Sequence, residues 1–161
     1  MSQYQAVSLR FKALILTGGF LLTGAALSWA SLGGDVASVQ ADQVHMQGSR
    51  RMTVAQAYTV HEIQAGTGTV IREYVSSSGK VFAVAFKGPW LPDMRQLLGN
   101  YFEQYSRAAQ VARDSRRRGR APVMINAPGL TVQISGHPRA YGGRAFVPEM
   151  LPSGVRPEDI Q

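Results

Sequence analysis

The chain has 161 residues, a formal net charge of +7 and no cysteine. That length suits one domain with a real core. The missing thiols exclude disulfide staples, cysteine nucleophiles, zinc–thiolate sites, iron–sulfur clusters and covalent haem attachment. The basic balance raises nucleic acid as a partner, a reading that the opening segment removes.

Residues 1–30 read as a secretory signal peptide. Arg10 and Lys12 form a positive n-region, residues 13–27 an uncharged and mostly apolar h-region, and Ser28-Trp29-Ala30 the small-residue pattern accepted by signal peptidase, which places cleavage between Ala30 and Ser31. The rival is an uncleaved inner-membrane anchor: residues 13–34 carry no charge over 22 positions, and about 20 apolar residues span a bilayer. Five glycines dilute that run, which favours cleavage. A lipoprotein is excluded by the lack of cysteine, and no twin-arginine pair precedes the apolar run, so the general secretory route is expected. Cleavage leaves one domain, residues 31–161, of 131 residues and net charge +5. In the periplasm, or secreted, such a chain meets phospholipid headgroups, lipopolysaccharide phosphates and acidic polysaccharides rather than nucleic acid.

Residues 35–46 suggest a short amphipathic helix through Val36, Val39 and Val44, with Gly34-Asp35 as its start signal. Ser49-Arg50-Arg51 reads as a connector. Strands follow at residues 58–64, 69–75 and 81–87, separated by short polar gaps containing glycine, which is the pattern of an antiparallel meander. Asp93 then opens the main helix as an N-cap, with Gln96 in a capping-box relation. Met94, Leu97, Leu98, Tyr101, Tyr105, Ala108 and Ala112 recur at threes and fours, giving one face that can lie on a sheet. Residues 123–125, 130–134 and 140–147 look like further short strands, and 148–161, rich in proline, like an extended tail. The class is α+β: an antiparallel β-meander packed against one main amphipathic helix, with further short C-terminal strands.

Chemistry-bearing clusters are few. Arg113, Arg116, Arg117, Arg118 and Arg120 place five guanidiniums within eight residues, a set suited to gripping phosphate or carboxylate bidentately. The alternative is a solvated helix end, since arginines complement the C-terminal dipole and Gly119 suits a C′ position. His45, His61 and His137 stand in no metal-ligand spacing, and His61-Glu62 on a strand point to opposite faces. His137, between Gly136 and Pro138, is expected in a turn. No nucleophile elbow, phosphate loop or dinucleotide fingerprint occurs. Arg72 and Glu73 are the remaining polar candidates, with His61. A two-residue turn at Ser78-Gly79 sets Glu73 opposite Val84 in a row with Ile71, Val75, Phe82 and Phe86, where a carboxylate needs a partner or a shifted pKa. A one-residue change of register sends it to solvent instead, and an outward or edge position is the expectation. Trp90 is expected to plug the corner between sheet and helix, with an exposed ligand platform as the alternative.

Together, Ser31-Leu32-Gly33-Gly34, Ile71-Arg72-Glu73-Tyr74-Val75, the run from Gly79 to Val84, Gly88-Pro89, Pro92-Asp93-Met94, Leu97-Leu98-Gly99 and Gly143-Arg144-Ala145-Phe146-Val147-Pro148 resemble one bacterial exported family, domain of unknown function 2844. The resemblance covers essentially all of residues 31–161. It implies a periplasmic or secreted protein of proteobacterial type and brings no catalytic residues. The expected function is a non-catalytic exported module that binds an anionic envelope component or another exported protein, without cofactor or metal. The alternative is a metal-independent hydrolase with a scattered Ser/His/Glu site.

Overall fold

A seven-stranded, wholly antiparallel sheet organises the chain, in a computed structural model that describes residues 32–115 and 122–161. The expected signal segment with its Ala30–Ser31 cleavage point, and Arg116, Arg117, Arg118 and Arg120, lie outside the described residues. The strands are β1 (Ser49–Val54), β2 (Tyr58–Gln64), β3 (Val70–Ser76), β4 (Val81–Gly88), β5 (Val123–Ala127), β6 (Leu130–His137) and β7 (Ala140–Phe146). Their spatial order is β1-β2-β3-β4-β7-β6-β5. Two local meanders, β1 to β4 and β5 to β7, therefore meet where β4 pairs with β7 and sets Ala83 opposite Phe146 and Phe86 opposite Gly143.

Helices cover one face. In α1 (Val36–His45), the Asp35 side chain accepts the Ser38 N–H at 3.1 Å, the expected start signal. Asp93 caps α2 (Met94–Leu98) by accepting from the N–H groups of Arg95 and Gln96 at 2.8 and 3.3 Å. The Gln96 side chain does not close the capping box; it turns inward instead. At Gly99 the backbone takes φ +47°, which glycine adopts at little cost, and a 3-10 turn over Gly99–Tyr101 leads into α3 (Phe102–Ser115). The expected single helix is thus two segments joined at Gly99. Among the described residues no helix is long and apolar enough to cross a membrane.

The sheet has two covered faces. Ile63, Ile71, Val75, Val84, Ile125, Leu130, Val132 and Ala145 pack beneath the helices with Leu32, Val39, Leu97 and Leu98. Tyr74, Phe82, Ala83, Ala85 and Phe146 pack on the other face against Ile160, Met150, Leu151 and Val155. The proline-rich C-terminal segment is therefore a second layer, shaped by 3-10 turns at Pro148–Met150 and Pro157–Asp159. Its end is fixed by hydrogen bonds: Tyr74 Oη donates to the Gln161 carbonyl at 2.8 Å and accepts the Gln161 N–H at 2.9 Å. Arg144 Nη1 donates to the carbonyls of Pro157 and Ile160.

One sequence expectation fails here. Ser49-Arg50-Arg51 is the first half of β1 and not a connector. All six β1 residues are exposed, so the strand has no buried face and leaves no alternation to read.

The β4–β7 seam is tight at Gly143, where an added Cβ would lie 2.6 Å from Phe86 Cζ and 2.7 Å from the Gln133 carbonyl oxygen. At Gly142 it would meet only the Phe86 carbonyl oxygen, at 3.7 Å. Gly143→Ala is expected to cost about 1–3 kcal/mol, and Gly142→Ala to stay within about 0.5 kcal/mol of the parent. Urea denaturation of the two variants checks this, and equal midpoints would contradict the packing described.

Candidate functional site: a sealed carboxyl cluster and an open basic cleft

Register brings together two of the residues singled out in the sequence. Glu73 on β3 lies opposite His61 on β2 and Val84 on β4, on the face covered by helices. Glu73 is 1 % exposed and His61 3 %, so the expected outward position of Glu73 is corrected. Ser76 pairs with Lys80 around a three-residue turn, with Gly79 at φ +79°, and the register shifts between Tyr74 and Val75. The longer loop and the bulge cancel, which keeps Glu73 opposite Val84. Phe82 swings to the other face, out of the row in which the sequence placed it.

Asp42 of α1, also 1 % exposed, lies over Glu73. No described N–H or O–H group donates to either Glu73 oxygen, so a hydrogen bond between the two carboxyl groups needs a proton on one of them, and the raised pKa of Glu73 makes it the donor. Burial first, then the charge of Asp42 and that hydrogen bond, push the Glu73 pKa well above the usual carboxylate range against the opposing pull of Arg50. Gln96 Nε2 donates to Asp42 Oδ1 at 2.6 Å, tying α1 to α2 through the same carboxylate. His61 is held neutral by burial and by Arg50, both of which lower its pKa, and its Nδ1 has no hydrogen-bond partner. The cluster thus favours the protonated form of Glu73 and the neutral form of His61. Neither His61 nor Glu73 lines either of the cavities below.

These shifts have opposite signs. A raised Glu73 pKa contributes stability that is complete below the unfolded value of 4.5 and lost as pH rises toward the folded value. A lowered His61 pKa makes stability fall as pH drops below 6.5. Glu73→Gln keeps a donor for Asp42 and removes the first titration. The variant is expected to gain stability over the parent progressively above pH 4.5, leaving only the acid-side loss. Urea midpoints from pH 4 to pH 9 test this, and parallel profiles for the two proteins would refute it.

A cavity of about 360 Å³ opens beside the cluster, lined by His45, Gln47, Thr69, Trp90, Asp93 and Gln96 among others. Gln96 faces both this cavity and Asp42. Trp90 is 60 % exposed at the lip, and the Thr69 hydroxyl donates to its carbonyl at 2.9 Å. The indole is therefore no plug at the corner.

The larger cavity, about 990 Å³, lies at the end of the sheet where β4 stops and β7 begins. Arg72, Lys87, Arg139 and Arg144 line it with Gln133, Ser135 and Tyr141, and among the described residues no acidic side chain does. Arg72 donates from Nε to Glu62 Oε2 at 2.8 Å and from Nη1 to the Gln161 carbonyl at 3.0 Å. Arg144 donates from Nε to Gln133 Oε1 at 2.8 Å. Both guanidiniums are thus fixed by the C-terminal layer, whereas Lys87 and Arg139 are exposed. Arg139 sits in the β6–β7 hairpin at φ +71°.

Of the sequence candidates, His61 and Glu73 meet in the buried cluster and Arg72 lies on the opposite face, at the cleft. Arg113 is exposed on the last turn of α3, and His137 is exposed at the β6–β7 hairpin, its Nδ1 3.1 Å from the Pro138 carbonyl. Among the described residues no three His, Asp or Glu side chains are grouped to hold a metal. Asp42, Gln96, Lys87, Arg139 and Arg144 were missed. Asp42 left a signal, a charged residue three positions after Val39 on the apolar stripe of α1. The cleft cations left none, because distant strands assemble them.

A family model described as protein of unknown function (DUF2844) matches residues 28–160. No curated protein and no solved structure matches the chain.

Proposed function

The chain belongs to the DUF2844 family, which carries no assigned activity, and from the site geometry we propose an exported, non-catalytic module that binds an anionic envelope component in the cleft at the end of the sheet. One observation carries the reading: four cationic side chains, and among the described residues no acidic side chain, line a cavity of about 990 Å³, a volume at the upper end of ordinary ligand sites. Arg72 and Arg144 are held by the C-terminal layer and give a fixed cationic floor. Lys87 and Arg139 supply mobile charge at its mouth. Guanidinium groups favour phosphate and carboxylate through paired N–H donors, so the ligand class is a phosphate- or uronate-bearing glycan or lipid headgroup. A hydrolase using Glu73 and His61 is the weaker reading, since both are sealed under α1 and line neither cavity.

Lys87→Ser with Arg139→Ser leaves the hydrogen bonds described above in place. The double variant is expected to elute from heparin and from immobilised lipopolysaccharide at lower salt, and each lost ion contact should reduce the slope of log K against log salt by about 0.7–0.9. Elution at the parent's salt concentration would overturn the cleft as the binding site. Replacing Arg116, Arg117 and Arg118 by serine is the complementary test, because in the sequence three residues separate that run from Pro122, which lines the cleft.

A further inference from the structure

The sheet has two edges, and they differ. At one edge β5 is five residues long and α3 packs on it. At the other, β1 pairs with β2 alone over six residues of unbroken antiparallel register. It contains no proline, glycine or bulge, and every residue is exposed. Natural sheets blunt such an edge by shortening, bulging or covering it, because its free N–H and C=O groups are a template for another strand. Among the described residues β1 is neither shortened, bulged nor covered, and the one blunting device it carries is the charge of Arg50 and Arg51, which repels a basic strand and not an acidic one.

The side chains define what fits. On the face covered by helices β1 presents Arg50, Met52 and Val54, and on the other Ser49, Arg51 and Thr53. Met52 is 61 % exposed and Val54 72 %. Neither Arg50 nor Arg51 forms an ion pair among the described residues. Glu62, directly across from Arg51, is already bonded to Arg72 at 2.8 Å. The remaining carboxyls near Arg50 are the buried Asp42–Glu73 pair, which α1 covers. One end of the edge therefore carries unmatched positive charge and the other exposed apolar side chains. A second copy of β1 would bring four arginines into two adjacent strands, which disfavours self-pairing.

We infer that β1 takes up an extended acidic segment of a partner protein as an eighth antiparallel strand, with carboxylates opposite Arg50 and Arg51 and apolar side chains opposite Met52 and Val54. Main-chain hydrogen bonds supply the affinity, and the charge pattern sets direction and register. This surface is separate from the cleft.

The test uses the purified protein and a fluorescein-labelled peptide, Ser-Val-Thr-Val-Glu-Glu-Thr. Its sequence places valines opposite Val54 and Met52 and glutamates opposite Arg51 and Arg50 when it runs antiparallel. Binding by anisotropy is expected together with slowed amide exchange over Ser49–Val54. Exchanging both glutamates for lysine, or the second valine for proline, should weaken binding at least tenfold. In the protein, Arg50→Glu with Arg51→Glu should lose the acidic peptide and gain the lysine peptide, while the milder Arg50→Gln with Arg51→Gln should give an intermediate loss in a folded protein. Lys87→Ser with Arg139→Ser should leave the affinity unchanged, which separates this surface from the cleft. No binding up to about 1 mM peptide, equal binding of the two peptides, loss of binding in the cleft variant alone, or dimerisation that protects β1 without peptide would each overturn the proposal.

Discussion

The fold rests on a strand with no surface of its own. Every residue of β4 from Val81 to Phe86 is buried, whereas a strand with one solvated face alternates. A strand buried on both sides needs a layer on each, and the chain supplies two unlike ones: helices on one side and an irregular C-terminal segment on the other. Irregular backbone can serve as a layer only where its polar groups find partners. That is why Arg144, Arg72 and the Tyr74 hydroxyl all reach the segment's main-chain atoms. The same arginines then line the cleft, so what closes the core also places the positive charge.

Charge is divided between two places. Between α1 and the sheet lie the carboxyl groups of Asp42 and Glu73, with His61 beside them; at the sheet's end lie cations without an acidic side chain among the described residues. An ionised Glu73 at 1 % exposure would lack the donors that a buried charge requires, so burial beside Asp42 favours its protonated form. With Val39 the only buried apolar side chain of α1, that carboxyl pair and Gln96 supply much of the helix's attachment. Solvent cannot reach the pair, which leaves the cleft as the surface proposed for a ligand.

Local elements were legible where one face is buried. The Asp35 and Asp93 caps, the β2 limits and the C-terminal strands follow from short-range patterns, and the α+β class follows from their order. The misses have separate physical causes. β1 buries neither face, so Arg50-Arg51 looked like a linker. The main helix was expected to run unbroken from Asp93 past Ala108, but the positive φ of Gly99 divides it. Glu73 was misplaced because a bulge at Phe82 and a longer loop offset each other, a compensation that alternation cannot reveal. Above all, the pairing of β4 with β7 joins residues far apart in sequence, and nothing local encodes it. The cleft depends on that pairing and was therefore invisible, while half of the buried cluster, His61 and Glu73, could be named without being placed.

The β4–β7 seam also sets an order of events in synthesis. The chain emerges from its N-terminus, so β1 to β4 are complete well before Ala140–Phe146 exists. Until then β4 stands at an open sheet edge with apolar side chains on both faces and no C-terminal layer over one of them. Unfinished chains of this kind expose what associates most readily with other chains. The vulnerable species is thus the chain between the completion of β4 and the arrival of β7, the last of the described strands, which removes its sticky edge.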